Sequence, residues 1–233
     1  MAKDKIALVT GANKGIGYEI ARQLGERGLH VFVGARNADA GKQAAASLRK
    51  GGATAEFVEI DVSDRASTRA AAGAVAAKTN HLDVLVNNAG IMEDETGIAG
   101  LEDGTLLRTL TTNTFGPLRV TQAFLPLLLK SPRASVINMS SGLGQLSDMG
   151  DMHPAYSISK TALNAVTRQL AAALRDKGVT VNSVCPGWVK TDMGGPNAPR
   201  TVQQGADTVT WLATEAPRNL TGQFLRDRNV IPW

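Results

Sequence analysis

The sequence predicts an α/β fold: one domain built on a doubly wound parallel sheet with helices on both faces. Three observations predict it. Short, nearly continuous apolar runs alternate with segments of helical spacing along the chain, as strands buried on both faces require. The first apolar run stops at a glycine-rich turn that opens a helical segment. The chain has 233 residues and no repeat, low-complexity tract or linker, so a single domain over 1–233 is expected.

The elements follow in order. "KIALVT" (Lys5–Thr10) is a buried strand stopped by Gly11. "GYEIARQLGERG" has apolar spacing near 3.6 and ends at Gly28, a helix stop. "LHVFVGA" is a second strand, and "ADAGKQAAASLRK" a helix closed by Gly51 and Gly52. "TAEFVEIDV" is a third strand. The Ala-rich "DRASTRAAAGAVAAKT" is a helix with Asp64 at its start. "LDVLVNNAG" is a fourth strand ending at a turn. Residues 104–130 read as a long helix with an interruption near Gly116–Pro117. "ASVINMSS" is a fifth strand, "PAYSISKTALNAVTRQLAAALRDKG" a long helix, and "VTVNSVCPG" a sixth strand. A helix is expected within Thr201–Thr214, and "GQFLRD" reads as a last strand. Right-handed crossovers then give a Rossmann-type sheet. Glu93–Asp94–Glu95 and the Gly- and Pro-rich segment Thr191–Arg200 read as surface loops, the second also as a substrate lid.

Composition narrows the function. Hydrophobic residues are 43% and charged residues 20%, as in an ordinary globular protein. The net charge is +4 and the isoelectric point near 9.4, but Lys and Arg are scattered, so no nucleic-acid face is expected. The single cysteine, Cys185, forms no internal disulfide and reads as a small core residue. No signal-peptide pattern precedes the glycine-rich turn, and "AFLPLLL" is too short to span a bilayer. A cytoplasmic protein with no membrane partner is expected. No Cys/His cluster suggests a metal.

Ligands of such sheets bind beyond the carboxyl ends of the strands. Gly11, Gly15 and Gly17 lie between the first strand and the first helix, spaced G-x-x-x-G-x-G. Unpaired N–H groups at a helix start attract a phosphate, so a dinucleotide pyrophosphate fits, and a ligand-free tight turn has the same pattern. At the end of the second strand an NAD site needs an acidic residue, whereas this chain has Arg36. A guanidinium there matches a 2′-phosphate, and Lys14 in the loop adds a second cation. A solvated arginine is the alternative reading.

The chemical end lies further on. Tyr156 and Lys160, in "YSISK", share one face of a helix. A nearby ammonium lowers a phenol's pKa, so the pair suits proton exchange with a substrate oxygen. An ordinary surface pair has the same spacing. Ser140 and Ser141 end the fifth strand on the same rim, where a hydroxyl serves a carbonyl oxygen. "NNAG" ends the fourth strand, and Asn113 is polar inside an apolar helix.

With "TGANKGIG", "DV", "NNAG", Asn113, "NMSSG", "YSISK" and "CPGWVKTDM" spread over nearly the whole chain, the sequence resembles the short-chain dehydrogenase/reductase family. "NKGIG", "CPGWVKTDMGGP" and "GQFLRDRNVIPW" are most similar to its NADPH-dependent carbonyl reductases. The resemblance implies Tyr156 as general acid–base, Lys160 as the residue that lowers its pKa and holds the nicotinamide ribose, and Ser141 as the group polarising the carbonyl. Asn113 would support a water in a proton relay. NADP(H) would be held by Gly11, Asn13, Lys14, Gly15, Ile16, Gly17 and Arg36, and by Asp61 and Val62 at the adenine. Asn88, Ala89 and Gly90 would line it, and Pro186, Gly187, Val189 and Thr191 would meet the nicotinamide end.

The implied partner is a small carbonyl substrate beside Trp188 and Met193, with Met149, Met152 and His153 nearby; for His153 a plain helix-entry role is preferred. The chain lacks the long insertion that monomeric animal carbonyl reductases carry before the tyrosine, which leaves a homodimer or homotetramer open. The rival readings are an alcohol, sugar or steroid dehydrogenase working in the oxidative direction, and a non-catalytic NADP sensor.

Overall fold

Residues 5–93 and 97–233 are described by the structure, a computed structural model. The apolar runs form strands β1 (Ile6–Thr10), β2 (His30–Ala35), β3 (Ala55–Glu59), β4 (Val84–Asn87), β5 (Ser135–Met139), β6 (Thr180–Val184) and β7 (Phe224–Arg226). The helical segments form α1 (Gly15–Glu26), α2 (Ala38–Lys50), α3 (Arg65–Ala76), α4 (Asp103–Leu110), α5 (Gly116–Leu128), α6 (Pro154–Leu174) and α7 (Val202–Thr214). The sheet order is β3-β2-β1-β4-β5-β6-β7, all parallel. A short β8 (Asn229–Val230), absent from the sequence reading, folds back antiparallel on β7. After β3 the chain crosses to the other side of β1, so loops leaving β1 and β4 diverge and open a cleft at the carboxyl edge.

Strand side chains alternate between two cores. Ala7, Val9, Val31, Val33, Val84 and Val86 pack with α1, α2 and α7. Ile6, Leu8, Phe32 and Leu85 pack with α3, α5 and α6. This period of two within all-apolar runs is what a sheet covered on both faces needs.

The carboxyl edge is also tied by buried polar groups. Asn87 and Asn138 are register partners on β4 and β5. The Asn87 amide donates to Asn138 Oδ1 at 2.8 Å, and the Asn138 amide donates to Thr167 Oγ1 on α6 at 2.8 Å. The Thr167 and Ser183 hydroxyls lie 2.8 Å apart. In a low-dielectric interior such bonds are directional and costly to break. They lock three strands and α6 under the site.

The long helix expected over 104–130 is interrupted, as anticipated, but by a π-helical turn at Thr111–Phe115 just before Gly116. Gly116 packs closely on Val62: a Cβ there would lie 3.0 Å from Val62 Cγ2. No helix of the described residues is long and apolar enough to cross a membrane.

Candidate active site

The first half of the site is the turn after β1. Gly11 and Gly15 have φ of +64° and +58°, a region that side chains disfavour. Gly17 sits where a Cβ would collide with Asn88 Nδ2 and the Gly11 carbonyl. The Asn88 amide donates to the Thr10 and Gly11 carbonyls at 3.0 and 3.2 Å. The Asn88 and Ala89 N–H groups both donate to Thr10 Oγ1, at 3.0 and 3.1 Å. Thr10 was missed in the sequence, where it reads only as the last strand residue; a hydroxyl at a strand end before glycine was the available signal. Gly17→Ala is therefore expected to destabilise the protein by about 1–3 kcal/mol through overpacking, read as a lower urea midpoint.

Helix α1 starts at this turn with Lys14 as its N-cap residue, and no side chain caps it. Uncapped first-turn N–H groups at the positive end of a 12-residue helix suit a phosphate. A glycine edge facing them leaves room for one: a Gly15 Cβ would meet only Thr191, at 3.5 Å and beyond. The donor set thus fits the pyrophosphate of a dinucleotide. Arg36 is exposed at the end of β2. Lys14 instead holds an ion pair with Asp192, its Nζ 2.5 Å from Oδ2. The Asp61 carboxylate accepts from the Ser63 N–H and hydroxyl at 2.9 and 2.6 Å, which fixes the turn beside Val62.

The second half gathers around α6. The Tyr156 phenol is buried and hydrogen-bonded to Ser141. Lys160 Nζ lies 5.4 Å from the Tyr156 ring centroid and donates to the Met139 carbonyl at 2.7 Å. Gly90 brings the cleft to these groups, since a Cβ on it would lie 3.2 Å from Asn113 Oδ1 and 3.5 Å from Lys160 Nζ.

One expectation needs correction here. The lysine was expected to lower the phenol's pKa. Burial instead pushes the Tyr156 phenol up to about 12, against the Ser141 bond that favours its ionised form. Burial also brings the Lys160 ammonium down to about 8. Desolvation opposes both charged forms. Asn113 lies on the π-helical turn. Its side chain is already engaged: Oδ1 accepts from Ile91 N–H at 2.8 Å, and the amide donates to Ile91 O at 2.8 Å and Ser159 Oγ at 3.0 Å. It clamps the β4 exit against α6.

The outer wall is the segment after β6. Trp188 is 57% exposed, and its indole N–H donates to the Gly194 carbonyl at 2.7 Å. Met193 is exposed in the same turn, while Met149 and Met152 are exposed on the segment entering α6. His153 caps α6 in the left-handed conformation, φ +48°. Val189 bridges to Arg200, and Gly187 turns with φ +76°. Cys185 is buried as expected, but not in purely apolar company: its sulfur accepts from the Arg226 guanidinium at 3.1 and 3.3 Å. Of the acidic patch, Glu93 pairs with Arg108 at 3.1 Å, and Asp94 and Glu95 lie outside the described residues.

The family model described as short chain dehydrogenase matches residues 5–201. The chain belongs to the short-chain dehydrogenase family. Carbonyl reductase [NADPH] 1 of Mus musculus is 32% identical over 277 positions, covering 98% of each protein. That alignment is longer than the 233-residue chain, so the mouse enzyme carries segments this family member lacks. The NADPH-bound carbonyl reductase from chicken fatty liver superposes with a TM-score of 0.91, at 32% identity and 99% coverage of both chains. Carbonyl reductase Sniffer of D. melanogaster gives 0.90, also at 32% identity and 99% coverage of both. The doubly wound fold of this short-chain dehydrogenase is thus shared over its whole length with known oxidoreductases.

Proposed function

We propose that this protein is an NADPH-dependent carbonyl reductase. The observation that carries the reading is the meeting of Ser141, Tyr156 and Lys160 beside Gly90, at the open end of a glycine-rich turn that fits a dinucleotide. Relatives named carbonyl reductase [NADPH] support it.

NADPH supplies the hydride when bound. The chain's own residues handle binding and the proton. The α1 start takes the pyrophosphate, and Lys14 and Arg36 take the 2′-phosphate. Ser141 donates to the carbonyl oxygen of a ketone or aldehyde, stabilising the charge that develops there. Tyr156 holds its proton at neutral pH, as a donor must, and delivers it to that oxygen. The Lys160 ammonium beside the ring favours the phenolate left behind. Trp188 and Met193 form the apolar wall of a small-molecule pocket. The protein works in the cytoplasm as a homodimer or homotetramer.

The test is a panel of ketones, aldehydes and quinones with NADPH and NADH. Consumption of NADPH with some members, and far less of NADH, is expected; binding without turnover on any member would make the protein a sensor. Lys14→Ala with Arg36→Ala should raise Kd for NADPH by roughly tenfold or more while changing that for NADH less than about twofold, because each cation–phosphate bond is charge-assisted. Titration calorimetry reads this, and equal losses would remove the 2′-phosphate role.

A further inference from the structure

Lys14 is assigned to a 2′-phosphate, yet in this structure it already has an anion. Its Nζ lies 2.5 Å from Asp192 Oδ2. The two residues are 178 positions apart, so the pair joins the turn after β1 to the segment after β6. The same two segments touch at Thr191, whose methyl lies 3.5 Å from the place of a Gly15 Cβ.

The carboxylate is delivered by a built turn, not by a loose side chain alone. Thr191 Oγ1 accepts from Gly194 N–H at 3.0 Å, the Gly195 N–H donates to Thr191 O at 2.8 Å, and the Trp188 indole closes the turn on Gly194 O. Asp192 stands at the crest of that turn. Its carboxyl is held below the usual range by the Lys14 ammonium. Arg36 has no such resident anion among the described residues.

We propose that Asp192 is a specificity-determining residue: its carboxylate competes with the cofactor's 2′-phosphate for Lys14. The inference rests on the NADPH reading above. The carboxylate offsets the charge of Lys14 and occupies one of its three donors, so a 2′-phosphorylated nucleotide gains less from this ammonium while Asp192 stays bound. A nucleotide with a free 2′-hydroxyl makes no demand on Lys14 and leaves the pair intact. Asp192 therefore subtracts from the preference for NADPH that Lys14 and Arg36 create. Both side chains are well exposed, at 69% and 79%, so the effect is modest: removal of the carboxylate should tighten 2′-phosphate binding by about two- to fivefold.

The experiment measures Kd for adenosine 2′,5′-bisphosphate, 5′-AMP and NADH by calorimetry at low salt. The proteins are wild type, Asp192→Asn, Asp192→Ser, Lys14→Ala and Lys14→Ala with Asp192→Asn. Expected is a two- to fivefold gain for the bisphosphate in both Asp192 variants, a smaller change for 5′-AMP and NADH, and no gain once Lys14 is absent. No gain, an equal gain for NADH, or a gain that persists without Lys14 overturns the competition. A wild type that binds the bisphosphate no better than 5′-AMP overturns the NADPH reading, and this inference with it.

Discussion

Tyr156→Phe is expected to lower turnover of any responsive ketone by about 10² to 10⁴-fold while leaving NADPH affinity within about twofold. The substitution removes one oxygen from a ring that is 9% exposed and keeps its volume. The fold should barely register it, since the lost bond is a single one to Ser141. The phenol's position argues for the size of the effect. Its proton is held to about pH 12 by burial, so at neutral pH the group is wholly in the acid form. The neighbouring ammonium donates to Met139 O. Steady-state kinetics paired with NADPH fluorescence titration separates the two readouts. Unchanged turnover would move the acid role to another group, and lost NADPH binding would show that the ring holds the cofactor more than the chemistry.

How much of this was legible before the structure depends on the range of the interaction. The seven parallel strands were readable because each is an apolar run bounded by glycine or polar residues, as in Ile6–Thr10 before Gly11. β8 was not, because Asn229 and Val230 are exposed and two residues carry no period. The nearness of Tyr156 and Lys160 followed from spacing, since one helix face brings them together, but their role needed the motifs at the ends of the fourth and fifth strands. The direction of the phenol's shift was not, because burial depends on what packs over α6 and spacing says nothing of that. The interruption before α5 was signalled by Gly116–Pro117, but its π character goes with Asn113 clamping Ile91, 22 residues earlier. Lys14 was visible as a cation in a glycine turn. Its partner Asp192 lies on a segment that only the sheet order brings near.

Lys160 supplies the second large effect, in stability as well as activity. The residue is 4% exposed, and burial moves its ammonium from 10.5 to about 8. The unfolded chain therefore binds more protons than the folded one between about pH 8 and 10.5. Wild-type stability should rise with pH through that window. Lys160→Met removes this term, so the stability of wild type relative to the variant should increase by roughly 2–3 kcal/mol between pH 7 and pH 10. Tyr156 does not blur the comparison: its raised pKa makes stability fall only as pH climbs from 10 towards 12. At pH 7 alone the variant's net change should be small. Relief of the buried charge is offset by the Met139 carbonyl, which loses its 2.7 Å donor and is left short of a partner at about 1–3 kcal/mol. Urea midpoints at the two pH values measure the difference, and parallel pH profiles for the two proteins would mean that Lys160 keeps its ordinary pKa in the fold. Turnover of the variant should collapse at every pH. A buried lysine that costs stability where the protein works, yet sits 5.4 Å from the ring of the proposed proton donor, is best understood as the charge that makes the departing proton's site tolerable.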